Sequence, residues 1–370
     1  MDASSSSSSV STLLWAGFAL GCTFGAAARA SRFCLLRGLR EWLTPTAPQA
    51  RRHGAPALQT FALALAVALL ATQWLAHAGQ IDLGSAQPVR GNISVVGMLV
   101  GGLLFGIGMT LARACGARAL VLLAGGNLRA LITLLCMAIA AQATLTGVLF
   151  PVRQWLQGFG LVTLPHATLP TLLQQGAGLP GMVALIVGVG LPVAALLAYA
   201  LWQPALRRGS AAQWIGAVVI GALVAAGWWI TGHVGIDPFE PVPLTSLSFV
   251  GPVAEAVLYL QVAVGRTLNI GPAIVVGTLC GAAAMALATR TARWEGFDSP
   301  ARFAASAIGG LLMGLGGVLA VGCTIGQGLS GLSTLAIASI PAVIGIAAGA
   351  VLTIQIQSTI FHTQPEGLPA

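Results

Sequence analysis

The chain has 370 residues, of which 56% are hydrophobic and only 7% are charged. Because soluble domains carry about 25% charged residues, this composition excludes a water-soluble protein and indicates an integral membrane protein. The basic residues are all arginines, and they lie in short loops between apolar segments. No nucleic-acid-binding motif accompanies them, so they indicate membrane topology and not a nucleic-acid partner.

The predicted elements begin with a serine-rich tail at residues 1–11, which we expect to be disordered. This tail lacks the positive region of a signal peptide, so the apolar segment from residue 12 is expected to remain as the first span. An arginine run follows the first span. It predicts that the C-terminal end of this span is cytoplasmic and that the N-terminus is periplasmic. The run consists of Arg29, Arg32, Arg37, Arg40, Arg51 and Arg52. The polar stretch 357–370 is expected to form a disordered C-terminal tail.

The apolar segments between residues 12 and 356 predict one all-α, polytopic transmembrane domain with about nine spanning helices and short re-entrant helices. Its first half covers about 12–150 and its second half about 181–356. Residues 248–264 are apolar but short, and a full crossing there would move the next arginine loop to the outer side. We therefore expect a re-entrant or half-spanning element, which is allowed where backbone is buried in protein or lines a wet cavity.

The chain contains an internal repeat. Residues 101–115 read GGLLFGIGMTLARAC, residues 309–323 read GGLLMGLGGVLAVGC, and nine of the fifteen positions are identical. Each copy ends in a cysteine, Cys115 or Cys323. The duplication predicts two pseudo-symmetric halves related as an inverted repeat, and its small-xxx-small glycines allow close helix packing. The stretch GCTFG at 21–25 matches GCTIG at 322–326 in four of five positions, which adds Cys22 to the pattern.

The sequence after Cys323 predicts a broken helix. Four glycines fall within residues 322–331, and each costs about 1 kcal/mol relative to alanine inside a helix. A broken helix presents free N–H groups and a positive dipole end, to which anions bind. The alternative is a buried structural thiol, since free cysteine is among the most buried residue types. Arg113, close to Cys115, indicates either an electropositive mouth or topology alone.

A thiol is a weak donor and a soft, weak acceptor, which suits a sulfur-bearing anion that must be released as well as bound. The predicted transport path consists of Cys22, Cys115 and Cys323 with their neighbours Gly21, Thr23, Gly322, Thr324, Gly326, Gln327 and Arg113. The remaining cysteines lack this glycine context and are expected to serve packing: Cys34, Cys136 and Cys280.

Other chemistry has weaker support in the sequence. Glu255 is an intramembrane carboxylate that either couples protons or pairs with Arg266. No His or Cys cluster has zinc spacing, and no Walker motif or dinucleotide fingerprint occurs, so we expect no metal and no cofactor. A membrane redox protein that passes electrons or sulfane sulfur between thiols is an alternative, although the C-x-x-C pair typical of such proteins is absent.

Four segments together resemble the YeeE/YedE family of sulfur transporters: GCTFG, GGLLFGIGMTLARACGAR, GWWITG…DP…SLSFVGP and GGLLMGLGGVLAVGCTIGQGLSGLS. The resemblance implies an hourglass-shaped helical protein of the bacterial inner membrane, without enzymatic activity, that takes up thiosulfate. It further implies a relay of three cysteines, carried over as Cys22, Cys115 and Cys323, and a small cytoplasmic sulfur-carrier protein as partner. Some relatives are linked to selenium, so another small sulfur or selenium compound is the alternative substrate.

Overall fold

A computed structural model describes residues 3–43, 55–202, 210–234, 243–265, 267–297 and 299–362. Within these ranges the protein is almost entirely helical. The extended structure is one short antiparallel pair, in which β1 (Asn92–Ser94) lies against β2 (Leu161–Thr163). The prediction of an all-α protein is therefore confirmed.

The helices follow in chain order. They are α1 Ala3–Ser31, α2 Leu35–Leu43, α3 Pro56–His77, α4 Val95–Leu111, α5 Gly116–Leu123, α6 Leu128–Leu145, α7 Phe150–Gln157, α8 Leu169–Thr171, α9 Gly181–Trp202, α10 Ala211–His233, α11 Val250–Val262, α12 Ile270–Ala288, α13 Pro300–Leu319 and α14 Ser339–His362. In the described chain, nine helical stretches are long and apolar enough to cross a membrane, and they centre on α1, α3, α4, α6, α9, α10, α12, α13 and α14. The expected number of spans is thus confirmed.

The two repeat copies form α4 and α13, which cross each other at glycines. A Cβ atom on Gly316 would lie 2.5 Å from the carbonyl oxygen of Gly101, and one on Gly108 would lie 2.6 Å from that of Gly309. These contacts are reciprocal, because Gly101 and Gly309 are equivalent positions of the repeat, as are Gly108 and Gly316. Only residues without a side chain allow the two backbones to approach this closely.

Each repeat copy also packs against the spanning helix that follows the other copy. Gly106 of α4 faces Ile346 and Ala350 of α14. The equivalent Gly314 of α13 faces Met137 of α6. These two equivalent contacts place α4, α6, α13 and α14 around one centre, where the ends of both repeats meet.

Both repeat helices break at the same repeat position. The backbone φ angle is 57° at Arg113 and 57° at Val321. The left-handed conformation costs roughly 1–2 kcal/mol in an L-residue, and it is rarest for β-branched side chains such as valine. The break redirects the chain just before Cys115 and Cys323, so both cysteines stand at helix interruptions inside the bundle.

Helix α11 is too short to cross a membrane. Its 13 residues span about 20 Å at 1.5 Å per residue, against a hydrocarbon core of about 30 Å. Val250 at its start and Asn269 after its end line the same cavity, so the two ends of this segment lie near each other. The arginine loop after α12 then falls at the opposite end.

The first and last helices extend into the segments predicted as terminal tails. Helix α1 begins at Ala3 and runs through the serine stretch for which disorder is predicted. Once the apolar helix has nucleated, each added residue gains a hydrogen bond and serine extends it at small cost. Helix α14 continues to His362, while 363–370 of the predicted C-terminal tail and the predicted topology signals at 51 and 52 lie outside the described residues.

Candidate functional site

A large cavity opens at one end of the bundle, and we call it the Arg90 cavity. Its volume is about 660 Å³. Its walls come from the segment before β1, from α7 and from the starts of α11 and α12, and they include Arg90, Arg153 and Ser248. The broken end of α13 contributes Gly322, so the cavity reaches the residue next to Cys323.

Cys323 follows Gly322, just beyond the wall of this cavity, and the residue is 1% exposed. The Gly326 N–H donates a hydrogen bond to the Cys323 sulfur at 3.3 Å. Residues Gly326–Gly331 then form a π-helical segment. The sulfur therefore stands at the start of a helical segment and accepts one of its first backbone N–H groups.

Gln327 stabilises this break. Its Nε2 donates to the carbonyl oxygens of Ala320 and Val321 at 3.1 and 2.9 Å, which satisfies two groups at the end of α13. A side chain at Gly322, where φ is 156°, would contact Gln327 at 2.9 Å. Gln327 and Gly322 thus hold the backbone that presents Cys323.

A second, small cavity contains Cys115. Its volume is about 10 Å³, and it is lined by Cys115, Cys34, Thr324 and Arg118 together with three phenylalanines. Cys115 is the N-cap residue of the short helix α5 and is buried. Cys34 and Cys115 line the same cavity, and Thr324, the residue after Cys323, lines it with them. We call this space the thiol chamber.

The Thr324 hydroxyl lies beside the Cys115 thiol in this chamber. Thr324 is 2% exposed, and the polar group beside its Oγ1 is the Cys115 thiol, which is a weak hydrogen-bonding partner. Buried hydroxyl groups are normally hydrogen-bonded, because leaving one unpaired costs about 1–3 kcal/mol. A buried hydroxyl whose neighbour is a weakly bonding thiol keeps a donor for a stronger acceptor that enters the cavity.

Cys34, for which the sequence predicted a packing role, lines the thiol chamber. The φ angle of Arg32 is 52°, so the chain breaks between α1 and α2 just before Cys34. Cys34, Cys115 and Cys323 therefore each lie two positions after a residue in the left-handed conformation. The available signal was the shared R-x-C sequence at Arg32–Cys34 and Arg113–Cys115.

The structure does not bring Cys22 to the described lining of either cavity. Helix α1 is continuous here, and the Cys22 carbonyl packs against Gly281 of α12. Cys22 is half-buried beside the exposed Cys280, while Thr23 is exposed and bonds the Ala19 carbonyl at 2.9 Å. The glycines of GCTFG serve the α1–α12 contact, since a Cβ on Gly21 would overlap the Ile274 carbonyl.

The predicted charged residues fall in separate places. Arg113 provides the left-handed break before Cys115, and its side chain is exposed. Arg40 lies near Arg113 and donates to the Thr110 carbonyl at 3.2 Å. Glu255 of α11 lines the Arg90 cavity, while its predicted partner at position 266 lies outside the described residues.

The described chain has nine helical stretches long and apolar enough to cross a membrane, and two of them are interrupted repeats, which defines a polytopic membrane protein. The chain belongs to the sulphur transport family, whose sequence profile matches residues 30–352. It is 26% identical over 334 residues to the thiosulfate transporter TsuA of Spirochaeta thermophila, covering 88% of this chain and 94% of that protein. It is 23% identical over 344 residues to TsuA of Escherichia coli, covering 86% and 87% of the two chains. The family match begins after Cys22 and includes Cys34.

Proposed function

We propose that this protein takes up thiosulfate across a bacterial inner membrane, along a path from the Arg90 cavity past Cys323 to Cys115 and Cys34. The observation that carries the proposal is the common geometry of three buried thiols, each two residues beyond a left-handed helix break. The thiosulfate transporters of similar sequence support the choice of substrate. A strain without sulfate and thiosulfate uptake, complemented with this gene, should grow on thiosulfate as its sulfur source. Absence of growth at normal membrane levels of the protein would contradict the proposal.

The chemistry of the path is weak binding at successive sites. A thiol donates a weak hydrogen bond to the terminal sulfur of thiosulfate and forms no covalent bond in this scheme. Weak contacts permit release at each step, which conduction requires as much as binding. A buried anion must be compensated, and in this scheme Arg118, which lines the thiol chamber, supplies a positive charge.

The path is closed in this conformation. A volume of about 10 Å³ is enough for about one water molecule, so thiosulfate does not fit the thiol chamber as it stands. Phe24, Phe33 and Phe61 line the chamber, and the rings of Phe33 and Phe61 stack at 5.4 Å. Passage therefore requires these rings to move apart, which we propose as the gating step.

The distribution of arginines supports one orientation of the protein in the membrane. The end opposite the Arg90 cavity carries Arg29, Arg40, Arg118 and Arg129, and an excess of arginine favours the cytoplasmic side. We therefore place the Arg90 cavity and the N-terminus in the periplasm and the thiol chamber toward the cytoplasm. A small cytoplasmic sulfur-carrier protein would receive the anion at that end.

Exchange of Cys34 and of Cys22 should separate a path thiol from a packing thiol. Cys34→Ser is expected to reduce thiosulfate-dependent growth to the level of the empty vector, because it changes a soft thiol in the chamber. Cys22→Ser should grow like wild type, since Cys22 faces α12. Equal membrane levels, measured by immunoblot, are the control. The reverse result would return Cys22 to the path and assign Cys34 to packing.

Thr324→Val tests the hydroxyl in the thiol chamber. The substitution should raise the KM for thiosulfate by about tenfold or more, the expected loss for a hydrogen bond to a charged group of about 1.5–3 kcal/mol. Because a thiol is only a weak hydrogen-bonding partner for this buried hydroxyl, Thr324→Val should change the thermal unfolding midpoint little. Thr324→Ser should restore uptake. A lower unfolding midpoint with unchanged KM would show that the hydroxyl is structural.

A further inference from the structure

Two buried oxygen atoms border Gly331, where the second half of the chain is interrupted. One is the Oε1 of Gln327, in the π-helical segment, and the other is the Oγ of Ser339, the first residue of α14. Both residues are at most 1% exposed. Within the described chain, neither atom has a hydrogen-bond partner. A Cβ atom on Gly331 would overlap the Ser339 Oγ and lie 2.7 Å from the Gln327 Oε1, so both oxygens adjoin one small space.

The orientation of the Gln327 amide is fixed by its nitrogen. The Nε2 donates to the carbonyl oxygens of Ala320 and Val321 at 3.1 and 2.9 Å, so the Oε1 is the atom that points away from the end of α13. An amide oxygen only accepts, and a buried one without a donor is unfavourable. The Gln327 Oε1 therefore calls for a hydrogen-bond donor or a cation. The hydroxyl oxygen of Ser339 offers lone pairs to the same group.

The local backbone favours a cation. The π-helical segment ends at Gly331, and the chain turns through Leu335, whose φ is 55°, before α14 begins at Ser339. Interrupted helices inside membrane proteins leave carbonyl oxygens outside regular helical bonding, and these oxygens coordinate sodium ions in transporters. Two oxygen-bearing side chains at such an interruption form the donor set that a hard cation prefers.

A cavity gives access to Gln327. Its volume is about 150 Å³, and Gln327 and Ala338, the residue before Ser339, line it. Val321 and Arg90 line both this cavity and the larger Arg90 cavity, so the two cavities adjoin. Arg90 is the charged residue in the described lining of the smaller cavity. Its positive charge disfavours a cation alone and permits one that enters together with an anion.

We propose that Gln327 Oε1 and Ser339 Oγ are ligands of a sodium ion that enters together with the sulfur anion. The site lies next to Cys323, because the Gln327 N–H donates to the Cys323 carbonyl at 2.8 Å. A dianion that moves into a negative cell interior moves against the membrane potential, and a sodium ion offsets part of its charge. This coupling rests on the proposed function, whereas sodium binding itself does not.

Coupling between the two ions is reciprocal. Sodium at Gln327 holds the side chain that stabilises the break before Cys323, so it should strengthen the binding of the anion. Replacement of sodium by choline should raise the KM for thiosulfate uptake by about fivefold or more, the lower end of usual coupling between sites. Thiosulfate should strengthen sodium binding by the same factor.

Thermal unfolding of the purified full-length protein tests the site directly. Midpoints are compared in sodium, potassium and choline chloride at equal ionic strength, each with and without the same low concentration of potassium thiosulfate. The wild-type midpoint should be highest in sodium chloride, because a ligand of the folded state stabilises it. Ser339→Ala should lose this sodium response and should unfold in choline chloride like wild type. The matched control is Ser306→Ala, another buried serine, whose Oγ donates to the Arg302 carbonyl.

Ser339→Cys keeps the test valid if Ser339→Ala is unstable. It nearly preserves the size of the side chain but replaces a hard oxygen by a soft sulfur, so it should also lose the sodium response. Equal wild-type midpoints in all three salts would overturn the site, and so would an equal sodium response of Ser339→Ala and Ser306→Ala.

Uptake of thiosulfate into proteoliposomes, measured in sodium and in choline chloride, separates this site from the proposed function. A sodium response of the midpoint without thiosulfate uptake would uphold the site and refute the transport proposal. Uptake with the same KM in both salts, and no sodium response of the midpoint, would do the opposite. A sodium response with an unchanged KM would uphold the site and overturn its coupling to the anion.

Discussion

Cys323→Ala should abolish thiosulfate-dependent growth, with uptake at least about tenfold lower, the loss expected when a buried contact to a charged ligand is removed. Cys323 is the first thiol beyond the Arg90 cavity, and its sulfur accepts the Gly326 N–H, so alanine removes both the soft contact and the group that positions that N–H. Initial rates of radiolabelled thiosulfate uptake into cells measure the effect.

The matched control for this prediction is Cys136→Ala. Cys136 is half-buried on α6, and it belongs to the described lining of neither cavity. This variant should retain wild-type uptake at equal membrane level. Wild-type uptake by Cys323→Ala would remove this thiol from the mechanism and leave the family's substrate class intact.

Gly309→Leu should prevent stable folding. A Cβ at this position would lie 2.6 Å from the Gly108 carbonyl, at the crossing of the two repeat helices. Overpacking usually costs about 1–3 kcal/mol, and here the obstacle is backbone, so the loss should approach the total stability of about 5–15 kcal/mol. We expect little protein in the membrane and a much lower unfolding midpoint in detergent.

The control is a glycine of a spanning helix without close neighbours. Among the described residues, no atom of a neighbouring element lies within 4 Å of the position that a Cβ would take at Gly190 of α9. Gly190→Ala should therefore be neutral or stabilise by up to about 1 kcal/mol from helix propensity. A normal yield of Gly309→Leu with an unchanged unfolding midpoint would contradict the close crossing of α4 and α13.

The sequence predicted the large-scale features because they rest on composition and periodicity. The length of the apolar segments located the nine spans. A full crossing at 248–264 would have moved the arginine loop at 290–302 to the outer side, which predicted a short element where α11 lies. The repeat located two of the three thiols at helix breaks. These features depend on segment length and on identity between copies, which are directly visible in the sequence.

The third thiol of the proposed path, Cys34 and not Cys22, shows why that path was only partly predictable. GCTFG around Cys22 and GCTIG around Cys323 have nearly the same letters, but only the second interrupts a helix. In α1 the glycines accommodate the backbone of α12, whereas at the end of α13 Gly322 has a positive φ. A glycine pattern does not distinguish close packing from a break, because the difference lies in the neighbouring helix.

The most direct test of the path uses a variant that keeps only Cys34, Cys115 and Cys323 of the six cysteines, the other three being replaced by serine. Uptake of radiolabelled thiosulfate is measured in proteoliposomes against empty liposomes. The three-thiol path predicts wild-type uptake by this variant and background uptake after a further exchange of any one of the three to serine. Background uptake by the variant itself, with normal folding, or full uptake after those further exchanges would contradict the path.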